Sequence, residues 1–330
     1  MARFLGSLIL IALTVGALLA TWPQLADLDM QAPWAQIVAM RGTGAAAALF
    51  VAMVLVLVRA GAGRARGYLS ALSFIFFVFA AANVGVLLFR GVFPAELPKP
   101  QQEQIRILEW NTLGDQVKIE YLARAVDEVK PTVIVLPETT NGHATELAKY
   151  LKDDLGEEFI VHTVAFDQVY KARSTSVLVN TTLGDYAIVD TYGNTSVVPS
   201  VVLEPVIAGS GPRIVGIHSV SPVSGEMNRW REDFKWLDQM CALPDTIIAG
   251  DTNATPDQHH ALQGCELASL QSRAGGLGTW PTTLPAIMGA QVDQVMTTSG
   301  WKSVGFSVMS SEDASGSDHR PIASVIVPAQ

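Results

Sequence analysis

Cysteine is nearly absent from this 330-residue chain: only Cys241 and Cys265 occur. No C-x-x-C pair exists, which excludes a zinc-ribbon site. The two cysteines either form a disulfide or sit as two small buried thiols. H-E-x-x-H and G-x-S-x-G are also missing, so neither a zincin helix nor a nucleophile elbow is available. Lysine is absent from the first 91 residues, which hold six Arg and two acids, Asp27 and Asp29. Their balance is +4 against −9 for the whole chain, leaving 16 basic and 29 acidic residues, a balance of −13, after Gly91. Such a domain lacks the cationic surplus from which a protein gripping duplex nucleic acid draws its affinity.

What the front third has instead is apolar length. Three runs occupy it: Phe4–Ala20, Ala45–Val58 with Ile37–Met40 before it, and Leu69–Phe89. A bilayer core takes about 20 apolar residues per helix, and the third run meets this most cleanly. The second is interrupted by Arg41, Gly42 and Gly44. Three such runs within 91 residues predict about three transmembrane helices over 1–91. The connector RAGAGRARG carries Arg59, Arg64 and Arg66 and belongs on the cytoplasmic side, as does Arg3. The third helix then leads outward. The expectation is a multi-pass protein of the cell (inner) membrane with its large domain on the periplasmic or extracellular face. If the first run is a cleaved signal peptide, that destination is unchanged.

GVFPAELPKPQQEQ, rich in Pro and Gln, predicts an extended spacer over 92–104. From 105 to 330 strands alternate with helices. Strand patterns fall at 106–110, 132–138, 158–165, 174–180, 186–192, 200–208, 213–220, 246–251, 292–298 and 321–329. Ile119, Leu122, Val126 and Val129 recur at helical spacing, and 229–241 carries Trp230, Phe234, Leu237 and Met240 on one face. Strand after strand without a helix from 158 to 220 argues against a simple doubly wound sheet and for stacked sheets covered by helices.

Polar residues gather at the ends of these strands. Asn111 closes the first, Glu138 the second; His218 lies in IHS, Asp251 and Asn253 in GDTN; Asp293 opens a strand, and Asp318 and His319 stand in GSDHRPIASVIV. Four carboxylates, two His and two Asn are an oxygen-rich set suited to a hard divalent cation and phosphate chemistry. The ordered series WN, PE, IHS, GDTN, VD, SDH resembles the endonuclease/exonuclease/phosphatase superfamily over about Ile105–Val327, closest to membrane-anchored bacterial members.

The resemblance implies an α/β (α+β) four-layer sandwich, two packed mixed β-sheets flanked by helices, preceded by the transmembrane helices. It also implies a divalent-metal-dependent phosphoesterase using Mg²⁺ or Mn²⁺ and an activated water. Glu138 takes the place of the family's main metal ligand, Asn111 of an Asn that helps place metal and phosphate, and Asp318 of a second ligand. Asp251 matches the Asp that orients or deprotonates the water, with Asn253 its neighbour. His218 takes the place where members put a His or Tyr against the phosphate oxygens. His319 resembles the terminal His of the family motif, with Asp293 as the carboxylate that would hold it. Two departures stand out: Thr252 replaces a common Phe in GDTN, and Asp293 lacks the usual flanking Arg and aromatic residue.

Other residues carry plainer readings. Glu109 shares a strand face with Asn111 and is a candidate extra acid. Trp280 of GTWP belongs either to the rim of the cleft or to the core. Arg229 and Arg231 read as a solvated helix face, and His143, His162, His259 and His260 as surface or satisfied interior residues. Partners expected are a phosphate ester (a phospholipid headgroup, a small phosphoester or a nucleic acid) and the lipid bilayer; no protein partner is evident. Competing functions are an exported nuclease of the same fold and a non-catalytic extracytoplasmic binding module.

Overall fold

The computed structural model describes residues 2–329 apart from 94, 95, 102 and 168; the side chain of Arg3, on which the orientation of the first helix partly rests, lies outside the described residues. Four helices open the chain: α1 (Ala2–Thr21), the short α2 (Trp34–Ala39), α3 (Arg41–Val58) and α4 (Arg66–Arg90). Phe4–Thr21, Arg41–Gly61 and Gly63–Arg90 are each long and apolar enough to cross a membrane. The second apolar run breaks at Met40 into α2 and α3, so Arg41 stands at the start of a helix and not in its middle.

The remaining chain forms β1 (Ile105–Glu109), α5 (Ile119–Val129), β2 (Val133–Pro137), α6 (Asn141–Tyr150), β3 (Phe159–Ala165), β4 (Ser174–Asn180), β5 (Tyr186–Ile188), β6 (Val201–Pro205), β7 (Arg213–His218) and α7 (Met227–Cys241). Then come β8 (Thr246–Asp251), α8 (Pro256–His259), β9 (Glu266–Leu267), α9 (Ala268–Gln271), β10 (Asp293–Thr297), β11 (Trp301–Val308) and β12 (Ile322–Pro328). Two six-stranded sheets result, ordered β11-β12-β1-β2-β4-β3 and β5-β6-β7-β8-β10-β9. Each is mixed, with one parallel pair, β1–β2 and β7–β8. The expected strand content holds except for β9 and β11.

Alternation along each strand sorts its side chains between layers. Ile107, Val133, Val135, Val177, Leu203, Ile214, Ile247 and Val295 point between the sheets and form the central core. Their neighbours Leu108, Ile134, Leu136 and Leu178 turn outward under α5 and α6, while Val215, Ile217, Ile248 and Met296 pack beneath α7. The expected sandwich of helix, sheet, sheet and helix layers is therefore present. Cys241 and Cys265 form a disulfide, Cα atoms 5.0 Å apart, pinning the end of α7 to the segment before β9.

The 92–104 segment is not a free spacer. Val92 is buried, Leu97 packs against the α5 layer, and Pro98 accepts a 2.7 Å hydrogen bond from Arg106.

Candidate active site

Parallel pairing places the carboxyl ends of β1, β2, β7 and β8 on one side of the sandwich. Asn111 follows β1, Glu138 follows β2, and His218 and Asp251 end β7 and β8, paired directly with each other. β10 runs antiparallel to β8 with Asp293 opposite Asp251, and β12 antiparallel to β1 with Ile322 opposite Glu109. Strands running the other way thus deliver Asp293 and the segment before Ile322 to the same end. That is why residues scattered from 111 to 319 share one cleft.

Tight backbone geometry aims them. Gly250 has φ +145°, and a Cβ there would stand 1.9 Å from the Ile217 carbonyl, so only glycine lets β8 approach β7 at the site. Glu138 and Asn253 hold left-handed φ of 55° and 47°, sparsely populated for such residues and typical of functional turns. Thr112 Oγ1 secures the first by donating to the Glu138 carbonyl at 3.0 Å. For the second, the Asn253 amide N–H donates to Asp251 Oδ1 at 2.8 Å and its Nδ2 to the Ser219 carbonyl at 2.9 Å. Thr252 points away from the cleft, donating to the Val292 carbonyl at 2.8 Å beside His259; its departure from the family pattern is one of packing.

Asn111 is the hub. Its Nδ2 donates to Glu138 Oε1 at 3.2 Å and to Asp251 Oδ2 at 3.1 Å. Asn253 Nδ2 adds a 3.2 Å bond to the same Asp251 oxygen. Opposite, His319 Nδ1 donates to Asp293 Oδ2 at 2.9 Å, and its Nε2 lies 3.9 Å from Asp251 Oδ2 and 4.0 Å from Asp318 Oδ1. Asp318 Oδ2 accepts from Trp280 Nε1 at 2.9 Å. His218 Nε2 is 3.9 Å from Glu138 Oε1. All eight expected site residues therefore lie in one connected arrangement. Trp280 is partly exposed at the rim, and Glu109 is fully buried beside Asp293 and Asp251.

Electrostatics separates the two histidines. Burial opposes a charge on His319, but Asp293, Asp251 and Asp318 overcome it and raise its pKa to about 10, so it is an imidazolium. Burial and the neighbouring His319 charge lower His218 to about 3, leaving a neutral ring whose Nδ1 is buried without a hydrogen-bond partner. Burial and the charge of Asp293 raise Asp251, against the pull of His319, Asn253 and Asn111. Glu109 is raised well above its ordinary value by burial and by the charges of Asp293 and Asp251.

The donor set fits a divalent cation. Glu138, Asp251, Asp293 and Asp318 face the cleft, and among the described residues no Lys or Arg pairs with any of them. Asp251, Asp293 and His319 each offer a donor atom within 4.8 Å of the others. Asp318 Oδ1 is buried without a hydrogen bond. Because His319 Nδ1 is already committed to Asp293, the oxygen donors left that could hold a hard cation are Glu138, Asn111 and Asp318.

The profile of the Endonuclease/Exonuclease/phosphatase family matches residues 108–319. The chain belongs to this family. Membership makes it a metal-dependent hydrolase of phosphate ester bonds. No curated protein matches the sequence. Among solved structures, a humanized D. rerio TDP2 is 17% identical with a TM-score of 0.53, covering 68% of this chain and 99% of its own. D. rerio TDP2 complexed with a single-strand DNA product is 16% identical, TM-score 0.52, covering 68% and 99%. An endonuclease/exonuclease/phosphatase family protein from Leptotrichia buccalis is 14% identical, TM-score 0.51, covering 67% and 99%. At these identities the likeness is one of fold.

Sequence reading passed over two residues that build the site. Ser317 Oγ donates to the Asn111 carbonyl at 2.6 Å and accepts from the His319 amide at 3.0 Å, tying the SDH segment to the end of β1. Arg320, completely buried, donates to the carbonyls of Gly278, Pro281, Thr282 and Leu284 and pairs with Asp313 at 2.7 Å. It is the post around which the Trp280 loop is wound. Their adjacency to Asp318 and His319 was the available signal. The remaining histidines keep the plain readings: His259 is buried edge-on to Phe234, His143 meets the Val117 carbonyl, His162 is half-buried on β3, and His260 meets the Asp257 carbonyl. Arg229 pairs with Glu226, and Arg231 donates to the Met30 carbonyl, both outside the cleft.

Proposed function

We propose that the chain is a membrane-anchored phosphoesterase that hydrolyses a phosphodiester or phosphomonoester with an activated water and Mg²⁺ or Mn²⁺. The observation that carries this reading is the convergence of Asn111, Glu138, Asp251, Asn253 and the His319–Asp293 pair on one cleft. Glu138, Asn111 and Asp318 would hold the ion, which supplies charge neutralisation at the phosphoryl oxygens. Asp251, with its raised proton affinity and two Asn donors, orients the attacking water and accepts its proton. The imidazolium of His319, kept in place by Asp293, stabilises charge on the phosphoryl oxygens. Neutral His218 offers those oxygens a hydrogen bond without a net charge.

The same reading divides the chain into membrane helices over 1–91, a connecting segment over 92–104 and the catalytic domain over 105–330. Arg59 and Arg64 between α3 and α4, with Arg66 opening α4, support an inner-membrane protein with that domain on the periplasmic or extracellular side. The disulfide agrees with an oxidising compartment. A neighbour in fold was solved with single-strand DNA, but the −13 balance after Gly91 weighs against a nucleic-acid backbone as substrate.

The test is hydrolysis of an aryl phosphodiester and an aryl phosphomonoester by the purified full chain with Mg²⁺, Mn²⁺ or EDTA, beside Asp251→Asn and His319→Ala. Metal-dependent turnover lost in both variants is expected. No turnover of either ester by folded wild type with any of the metals would refute the reading.

A further inference from the structure

The segment that follows the GDTN motif does not end in solvent. Asp257 is buried between two arginines of the membrane helices. Arg41, at the start of α3, donates from Nε at 3.0 Å and from Nη2 at 2.5 Å; Arg90, at the end of α4, donates from Nη1 and Nη2 at 2.8 Å each. Arg41 also reaches Asn83 Oδ1 at 2.7 Å and the Thr21 carbonyl at 2.8 Å, so the ends of α1, α3 and α4 share one node. Gln24 adds a 3.0 Å bond to the Asp257 carbonyl. A second contact runs along the loop that carries Trp280. Gly275 and Gly276 donate to the Arg90 and Gly91 carbonyls at 3.1 and 2.8 Å, and Thr43 Oγ1 donates to the Met288 carbonyl at 2.8 Å. A Cβ at Gly42 would come within 2.0 Å of the Ile287 carbonyl, so the backbones touch.

Both docked segments are continuous in the chain with residues of the candidate site. Asp257 stands four residues beyond Asn253, and the 275–288 loop holds the Trp280 that bonds Asp318. Asp293 follows Met288 by no more than roughly 18 Å of fully extended chain. The helices are therefore docked on the segments that flank the site residues in the chain.

Below this contact α3 and α4 enclose an apolar groove of about 360 Å³, lined by Gly42, Ala46, Leu49, Phe77, Val84 and Ile287 among others. Its polar lining is almost nil, and Ile287 and Met288 of the catalytic loop close its upper end. The comparable groove between α1 and α3 is lined by helix residues alone. Of these two lipid-facing grooves, only the α3–α4 one is bordered by the loop that carries Trp280.

We propose that the membrane helices are a working part of the hydrolase: the Arg41–Asp257–Arg90 node seats the cleft at the membrane surface, and the substrate is a phosphate ester of a bilayer lipid whose acyl chain lies in the α3–α4 groove. The occupant follows from place, because the groove lies within spans that acyl chains surround, and from its continuity with the Ile287–Met288 contact. This rests on the phosphoesterase reading above.

The full chain in phosphatidylcholine nanodiscs tests it, with dioleoylphosphatidylglycerol and dioleoylphosphatidate as diester and monoester probes. Each is compared with its deacylated glycerol phosphate counterpart, and an aryl phosphodiester and aryl phosphomonoester report on the bare chemistry. A diacyl probe is expected to exceed its deacylated counterpart by on the order of 10-fold or more in kcat/KM, since the chain contributes binding the headgroup lacks. Ala46→Trp fills the groove from an exposed position and should raise KM for that probe several-fold with kcat retained. Ala47→Trp, exposed on the α1 side of α3, should not. Equal or faster cleavage of the deacylated esters, or cleavage of an aryl ester alone, overturns the lipid assignment and leaves the phosphoesterase standing. Cleavage of nothing, the aryl esters included, overturns both.

Discussion

Asp257→Asn removes a buried negative charge from between Arg41 and Arg90. The wild-type side chain is almost wholly buried and its carboxylate takes four charge-assisted hydrogen bonds from the two guanidinium groups. Breaking a buried ion pair by removing one partner typically costs roughly 3–5 kcal/mol, because the opposite charge remains uncompensated. Asn keeps one acceptor oxygen, which places the loss near the lower figure, about 3 kcal/mol. For a domain of this size each kcal/mol moves Tm by about 2–4 °C, so the variant should melt about 6–12 °C lower at pH 7. The sign of the pH dependence follows from the pKa. Burial raises the Asp257 carboxyl, but hydrogen bonds and charge from Arg90 and Arg41 outweigh it and hold the pKa well below the ordinary carboxylate range. Its contribution is therefore complete above an unfolded pKa of about 3.9 and is lost as pH falls through the folded value. Thermal unfolding of the full chain in detergent, followed by near-ultraviolet circular dichroism at one scan rate, should show the gap between wild type and variant closing below about pH 4. An unchanged Tm at pH 7, or a gap that widens in acid, would refute the reasoning.

Other outcomes follow from the same geometry. Asp293→Asn keeps the shape but removes the charge that holds His319 as an imidazolium; kcat on an aryl phosphodiester should fall by about 10²–10⁴-fold. Glu109→Gln replaces a fully buried carboxyl, whose proton affinity burial, Asp293 and Asp251 raise, by an amide of the same shape, so turnover should stay near wild type. A large loss would mean that the carboxyl is ionised or exchanges protons during catalysis. Replacing both Cys241 and Cys265 by Ser opens a loop with a sequence separation of 24 and should cost about 3.5 kcal/mol in the chain-entropy account, read as a lower Tm in non-reducing buffer.

The sandwich was legible because its inner strands carry long β-branched and aliphatic runs whose period of two survives burial on both faces. β11 escaped notice for the opposite reason. As an edge strand with Lys302, Ser303 and Gly305 it alternates weakly, and it contributes chiefly Phe306 to the core. β9 has only Glu266 and Leu267, too short for any pattern. The eight candidate site residues could be named because each closes or opens an apolar strand in a fixed order. Arg320 was not given a role, because a buried cation that organises a loop through carbonyls leaves no periodic or spacing signal. Arg41 illustrates the limit most clearly. In sequence it interrupts an apolar run, and its meaning appears only when Asp257, 216 residues away, is brought against it. In the same region Thr255, with Gln258, caps α8, which leaves Asp251 and Asn253 free to turn into the cleft.

Binding of Mn²⁺ to the full chain, followed by electron paramagnetic resonance, tests the central claim most directly, because it reads the cation site without requiring turnover. Wild type is compared with Glu138→Gln, Asp318→Asn and Asp293→Asn. The expected result is a bound ion that Glu138→Gln loses, Asp318→Asn weakens and Asp293→Asn largely keeps. Binding indifferent to Glu138, or lost only in Asp293→Asn, would contradict a cation seated on the Glu138 side of the cleft and a His319–Asp293 pair free of metal.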